Sequence, residues 1–415
     1  MLPGYNVRVR LGLISAKYPF GPQEPYLDAE LRALAPALDG VVVVPTSPRT
    51  AEPGFADVPA DVVRLPLAGG ATFALAARAL ARRPLRALGA LAAVLAEPYP
   101  WRAKLKNLAV FPKGLALAEV ARARRLDHLH AYWLSTPATV AWVAARLAGI
   151  PFSATAHRWD VYENNLAARK VRDARFVRTI SDRGRRDLLL LTGGDPDKVG
   201  VVRLGVALPE PRRVRVVAGD SWGRLPQEDR PLRILCAAAL VPVKGHAVLL
   251  NALALLRERG IAFDCTLAGD GPLRTELADE IAAAGLGEQV RLAGTIPHDE
   301  LLARLGRGDF DVSVIASVER PGGLMEGVPV ALVEAMAAGA TVVATDSGSV
   351  GELVDGTTGL LVPHSDPAAL ADALIRVARD PQLRDRLRDA ARARVEREFD
   401  VARTTERLRA LIVAV

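Results

Sequence analysis

The chain has 415 residues and a formal net charge of +7, half of its residues are hydrophobic and about a quarter are charged, which suits two or three cored domains of ~150 residues each. That excludes a disordered or fibrous protein, and only two cysteines, Cys236 and Cys265, exclude a disulfide scaffold or a cysteine-based zinc site. The charge is uneven, with 28 Lys/Arg against 17 Asp/Glu in residues 1–200 and 26 against 30 in residues 201–415; the basic half reads either as the mark of an anionic partner or as an Arg-rich composition.

In chain order, Val7, Val9 and Leu11 alternate with Arg8 and Arg10, a strand pattern and not that of a signal peptide. The longest uncharged apolar stretch, Ala87–Ala96, is about half of the ~20 residues a membrane-crossing helix needs, so the expected location is the cytoplasm. Strands are expected at Val7–Ser15, Val41–Pro45, Val62–Leu65, Asp127–Ala131, Phe152–Thr155, Phe176–Thr179 and Val199–Arg203. Helices are expected between them at Gln23–Ala37, Thr72–Ala96, Gly114–Arg125, Pro137–Ala148 and Asp182–Leu191. The pattern lapses at 209–231, where prolines and charges of both signs read as a linker. A second series of strands follows: Arg233–Ala237, Phe263–Ala268, Val290–Ala293, Val312–Ala316, Thr341–Thr345 and Leu360–Val362. Its helices are Gly245–Arg259, Pro272–Ala284, Val330–Ala338 and Pro367–Arg379, with Pro381–Glu398 and Val401–Val413 beyond. The α/β alternation predicts two doubly wound Rossmann-like domains, 1–208 and 232–395, facing each other across a cleft, with a C-terminal helix in 396–415 that can return to the first domain.

The stretch SVERPGGLMEGVPVALVEAMAAGATVVAT, Ser317 to Thr345, reads as a Gly-rich loop between strands, followed by a helix that Pro329 opens and Gly339 closes. Gly322, Gly323 and Gly327 allow close approach of a ligand, and the helix N-terminus after Val328 offers N–H groups and positive potential to an anion. Glu326 and Glu334 could each accept two hydrogen bonds from a polyol. Taken singly, either reads as readily as a solvated loop residue or a helix salt-bridge partner.

Taken together, EGVPVALVEAMAAG, with its two glutamates eight apart, and the following TDSGSVGELVDGTTGLLVP resemble the donor domain of the retaining glycosyltransferases of family 4. LAGDGPLRTEL (Leu267–Leu277) and AAALVPVKGH (Ala237–His246) extend the resemblance, as do SATAH around His157, TISDRGRRDL, VVRLGVAL and the early YPFGPQEPYLDAEL. The resemblance implies the GT-B architecture and a nucleotide-diphosphate sugar as donor, with no metal or other cofactor. It implies that Lys244 clamps the diphosphate, Glu326 contacts the sugar hydroxyls, Glu334 holds the ribose and His157 lies near the sugar's C6 hydroxyl. Gly21, Glu24, Gly271, Gly323, Gly327 and Val328 are the further donor-binding positions. Ala239 stands where the family usually has arginine, which leaves half of the usual clamp absent. The wording near His157 and Gly21 resembles that of enzymes of surface-polysaccharide assembly, which implies a glycan or lipid-linked saccharide acceptor.

The competing readings come from other classes. A non-catalytic sugar- or nucleotide-binding partner on the same scaffold would explain Ala239. A nucleic-acid-binding role would rest on pI alone and has no supporting motif. Arg274 occupies the third glycine position of a dinucleotide fingerprint, against a nicotinamide cofactor. Asp309-Phe310-Asp311 mimics a metal-binding Asp-x-Asp but leads straight into a hydrophobic strand, and His128 and His130 read equally as core or surface histidines. Arg78, Arg82, Arg83, Arg86, Arg102, Lys104, Lys106 and Lys113 flank apolar helical stretches and either form a solvated face or rest on anionic lipid.

Overall fold

The computed structural model describes residues 9–414 other than 22, 23, 49, 51, 56 and 210–229. Val7, Arg8, Gln23 and nearly all of the expected linker therefore lie outside the described residues. The chain divides into two compact units: one runs up to Gly205 and takes in the stretch from Val401 on, and the other is Val206–Asp400.

The first unit is built on seven strands: β1 (Arg10–Ser15), β2 (Gly40–Pro45), β3 (Asp61–Val62), β4 (His128–Ala131), β5 (Phe152–Ala156), β6 (Val177–Thr179) and β7 (Val199–Val201). All pair in parallel, in the order β3-β2-β1-β4-β5-β6-β7. The nearly continuous apolar runs of β1 and β2 fit strands covered on both faces. Helices α1 (Pro25–Leu34), α2 (Gly70–Arg82), α3 (Pro84–Ala96), α4 (Trp101–Ala123), α5 (Thr136–Ala148), α6 (Arg158–Glu163), α7 (Ala167–Asp173) and α8 (Asp182–Thr192) supply that cover. α1 buries Leu27, Leu31 and Leu34 and packs with α15 (Val401–Val413), which buries Leu408 and Ile412.

The second unit carries β8 (Leu232–Ala237), β9 (Phe263–Ala268), β10 (Val290–Gly294), β11 (Val312–Ile315), β12 (Thr341–Asp346) and β13 (Leu360–Pro363), again all parallel, in the order β10-β9-β8-β11-β12-β13. Leu249, Leu253 and Leu256 of α9 (His246–Glu258) pack with Leu370 and Leu374 of α13 (Pro367–Arg379) in one apolar cluster. Leu332, Val333 and Met336 of α12 (Val330–Ala337) pack with Ala391 and Val395 of α14 (Pro381–Glu398) in another. Helices α10 (Arg274–Ala283) and α11 (His298–Arg307) complete the unit. Both units are thus doubly wound. No helix among the described residues is long and apolar enough to cross a membrane.

Each expected strand is present, with shifts of a residue or more at several ends, and the differences lie in the helices. Thr72–Ala96 is two helices, because Pro84 lacks the N–H that would continue α2 and instead opens α3. Gly114–Arg125 is the second half of the 23-residue α4, which carries Pro112 in its interior. Short α6, α7 and α11 have no counterpart among the expected helices. Pro329 caps α12 from just outside, and Gly339, at φ +81°, follows its last turn.

The strand order sets where chemistry can sit. In each sheet the chain winds outward both ways from one central pair, β1/β4 in the first unit and β8/β11 in the second. Loops at the carboxyl ends of such a pair diverge and leave a crevice. The loops after β8 and β11 carry Lys244 and Glu326; those after β1 and β4 carry Glu24 and Trp133.

Candidate functional site

In the second unit, Ala316 and Ser317 follow β11, and the chain then turns tightly through Pro321, Gly322 and Gly323, closed by Arg320 N–H donating to Leu324 O at 2.7 Å. Both glycines have positive φ, +80° and +73°. Glu326 follows with its carboxylate buried. Oε2 accepts from Lys244 Nζ at 2.6 Å and from Ser317 Oγ at 2.7 Å, and Oε1 accepts from the Gly327 N–H at 3.1 Å. Burial pushes this carboxyl up, but the Lys244 charge and these donors outweigh it and hold it below the usual glutamate range.

The backbone of Glu326 is fixed as firmly as its side chain. Its N–H donates to Ser347 Oγ at 3.3 Å and its carbonyl accepts from Ser349 N–H at 3.1 Å. Gly348 has φ +63°, and a Cβ there would lie 1.8 Å from the Glu326 carbonyl oxygen, so no other residue fits without moving the site. Lys244 ends a short 3-10 turn (Pro242–Lys244) whose Val243 carbonyl accepts from Val318 N–H. The turn from β8 and the loop from β11 therefore hold each other.

Glu334 lies in α12, where its Oε1 is 2.7 Å from His298 Nε2 on α11. That contact with Glu334 raises the His298 pKa against the opposing effect of burial. Gly271 lies against the Leu240 carbonyl, 2.5 Å from where its Cβ would be. Val328 packs half-buried against the α12 core, and Ala239 is exposed. The structure thus brings Lys244, Glu326 and Gly327 into direct contact, while Glu334 meets His298, a residue not among those expected at the site. The Asp-x-Asp is occupied otherwise: Asp309 pairs with Arg304 and Arg307, and Asp311 with Arg230 and Arg233.

In the first unit, His157 closes β5 and caps α6. Its buried ring stacks on Trp133 (centroids 4.1 Å apart, 28° between planes), with Tyr132 and Tyr26 at 5.5 and 6.0 Å. Neither ring nitrogen has a hydrogen-bond partner among the described residues, and Nδ1 lies 3.6 Å from Asp160 Oδ2. Asp160, on the first turn of α6, accepts from the backbone N–H groups of Leu134, Ser135 and His157 at 3.0–3.1 Å. Buried Lys170 donates to the carbonyls of Leu134, Ser135 and Asn165 and to Asn165 Oδ1; burial pushes its pKa down to about 7.

Glu24, too, has both of its carboxylate oxygens engaged. Oε2 accepts from the N–H groups of Lys17 and Tyr18, at 2.9 and 2.6 Å, and Oε1 from Trp133 Nε1 at 2.5 Å. Its contacts brace the loops after β1 and β4. Gly21 turns the first of these loops at φ +103°, with open space where a Cβ would stand. His128 and His130 are core histidines: both rings contact Ser153 Oγ at 2.7 Å, and burial lowers the pKa of each, His128 to about 3.

Asp160, three residues after His157, had a local signal, since an acid at the third helical position is a frequent partner of the cap. Trp133 and His298 had none, because their partners are remote in sequence, and for Lys170 two of the three residues it holds, Leu134 and Ser135, are equally remote.

A family model described as glycosyl transferases group 1 matches residues 223–394. The amylovoran biosynthesis glycosyltransferase AmsK of Erwinia amylovora is 34% identical over 213 residues, 51% of this chain and 50% of that protein. The chain thus spans about half the length of the first curated relatives it matches. D-inositol 3-phosphate glycosyltransferase of Streptomyces scabiei is 31% identical over 335 residues, 72% of each chain. Among solved structures, Anabaena Alr3699/HepE in complex with UDP covers 98% of this chain and 100% of its own at 20% identity, with a TM-score of 0.69, a likeness of fold.

Proposed function

The chain belongs to the group 1 glycosyltransferases and has their GT-B fold, and from that premise we propose that it moves a hexose-type sugar from a nucleotide-diphosphate sugar to a hydroxyl of a glycan or lipid-linked saccharide, with retention of anomeric configuration, in the assembly of a cell-surface polysaccharide. The observation that carries the reading is the Lys244–Glu326 pair at the β8/β11 switch, with Glu334 eight residues further on. UDP in the Anabaena neighbour, and amylovoran and colanic acid biosynthesis in the names of two bacterial relatives, support donor class and setting.

In this reaction the bond from C1 to the diphosphate oxygen breaks and a bond from C1 to the acceptor oxygen forms on the same face. The departing phosphate oxygen takes the acceptor's proton. Charge accumulates on the diphosphate, where Lys244, the amides of the 322–328 loop and the N-terminus of α12 would stabilise it without a metal. Glu326, held charged, suits hydrogen bonds to sugar hydroxyls and the partial positive charge of the sugar ring. Glu334 suits the two hydroxyls of a ribose, and the unpartnered nitrogens of His157 suit a sugar hydroxyl. Ala239 leaves the clamp with one cation, but retention of Lys244, Glu326, Glu334 and His157 weighs against a non-catalytic binding protein.

The test is a thermal-shift and hydrolysis screen against UDP-, GDP- and ADP-sugars, with and without EDTA, beside Glu334→Ala. We expect one nucleotide class to stabilise the protein and release sugar slowly, insensitive to EDTA and lost in the variant. No stabilisation by any nucleotide would overturn the donor site, and an inverted product in an anomer-resolved NMR assay would overturn retention.

A further inference from the structure

The α3–α4 elbow of the first unit has its apolar pattern inside out. α3 buries Ala87, Ala90, Ala93 and Val94 against the core and turns leucines outward: Leu85 is 83% exposed, Leu88 57% and Leu95 49%. A helix that merely covers a core places its largest apolar side chains inward. The spacing 85, 88, 95 puts the three on one stripe, and α4 continues it in its first turns with Trp101, 65% exposed, and Leu105, 56%. The two helices are tied at this corner, where Lys104 Nζ donates to the Leu95 and Glu97 carbonyls and Tyr99 Oη donates to the Val94 carbonyl.

Charge is just as one-sided. Residues 62–118 hold nine Lys/Arg and a single acid, Glu97, and Glu97 is already paired with Arg169 and Arg172. Not every base is available: Lys113 is buried on the Pro45 and Thr46 carbonyls, Arg78 and Arg82 pair with Glu119, and Lys106 pairs with Glu163. Arg83 and Arg102 have no carboxylate partner among the described residues, and Arg102 lies over the Trp101 ring.

We propose that the α3–α4 elbow is a membrane-docking face on which Leu85, Leu88, Leu95 and Trp101 enter the acyl boundary of an anionic bilayer while Arg83 and Arg102 meet its headgroups. The occupant follows from the two patterns together. A leucine stripe alone would suit a second copy of this chain, but two such faces would bring Arg83 and Arg102 of one copy against the same arginines of the other. An acidic surface alone would leave the leucines in water. Only an anionic lipid surface supplies both an apolar layer and a dense negative charge. Tryptophan beside arginine at the elbow suits the interfacial depth. Docking of this kind is independent of sugar transfer and would hold whatever the chain catalyses.

The experiment is vesicle flotation of the full chain at 50 and 500 mM salt, with phosphatidylcholine alone and with about one third phosphatidylglycerol. We expect flotation only with the anionic vesicles, weakened by salt, and lowered ~10-fold or more both by Leu85→Ser with Leu88→Ser and by Arg83→Gln with Arg102→Gln. The substituted side chains are exposed, so both variants should melt with the parent protein. No flotation with anionic vesicles, or flotation indifferent to both pairs of substitutions, overturns the proposal. So does sedimentation showing a dimer of the parent chain that the leucine variant abolishes, since the stripe would then join copies.

Discussion

The two units use the carboxylates near their switch points differently. In the first unit, Glu24 and Asp160 direct their oxygens at N–H groups, chiefly of the backbone, and fix loops. In the second, Glu326 and Glu334 face Lys244 and His298, side chains that can turn to another anion when a ligand arrives. An acid that holds several amides cannot be recruited without unravelling its loop; an acid with a cation among its partners, as Glu326 has beside Ser317 and the Gly327 N–H, can exchange that cation. Carboxylates in the two units should therefore fail in different currencies, stability in the first and activity in the second.

The largest expected effect tests the second half of that contrast. Glu326→Gln keeps the shape and removes the charge, and transfer should fall ~10²–10³-fold, about 3–4 kcal/mol in the barrier, with melting little changed. Unaltered transfer would place Glu326 with the bracing acids. Asp160→Ala comes next: it orphans three backbone N–H groups and should cost about 3 kcal/mol in urea unfolding. Glu24→Gln should cost about 1–2 kcal/mol, since an amide cannot accept from Trp133 and from both N–H groups of the Lys17–Tyr18 turn.

The smallest effect separates the two pairs of the second unit by pH. Glu326 has a lowered folded pKa, so its contribution is present above the ordinary glutamate value near 4.5 and is lost only as pH falls through the folded value; it is constant across neutral pH. His298 has a raised pKa, so its pairing with Glu334 is full below about 6.5 and is lost as pH rises through the folded value. Donor affinity should then rise a few-fold as pH increases from 6 to 8, and His298→Gln should flatten that rise. A slope that survives the substitution would remove His298 as the competitor for Glu334.

The strands were readable because each is a short apolar run bounded by turn residues, and the strand series alone implied two parallel sheets. The helices were less so. The Ala/Leu pattern runs through Arg83 and Pro84 without a break, and α4 begins at Trp101, well before the expected start at Gly114, and continues through Pro112. Glu326 and Gly327 were legible because they belong to a contiguous, Gly-marked pattern, and Lys244 because the separate stretch AAALVPVKGH resembles the same family. The competition of His298 for Glu334 was not, since 36 residues separate them, nor was the commitment of Glu24 to Trp133, 109 residues away. Residue type suggests what a side chain can do, and only tertiary contacts decide whether it is already occupied.

The return of α15 to α1 has a consequence for biosynthesis. The first unit begins the chain, yet its packing is finished by residues from Val401 on, where the Thr404 side chain and the Val401 backbone fill the space beside Gly205. The 195 residues of Val206–Asp400 must leave the ribosome in between. The second unit can close on itself as it emerges, while α1 keeps Leu27, Leu31 and Leu34 without their last partner until α15 arrives. Translation order and completion order are thus reversed, and the unit made first is the one whose apolar helix is longest in need of a chaperone.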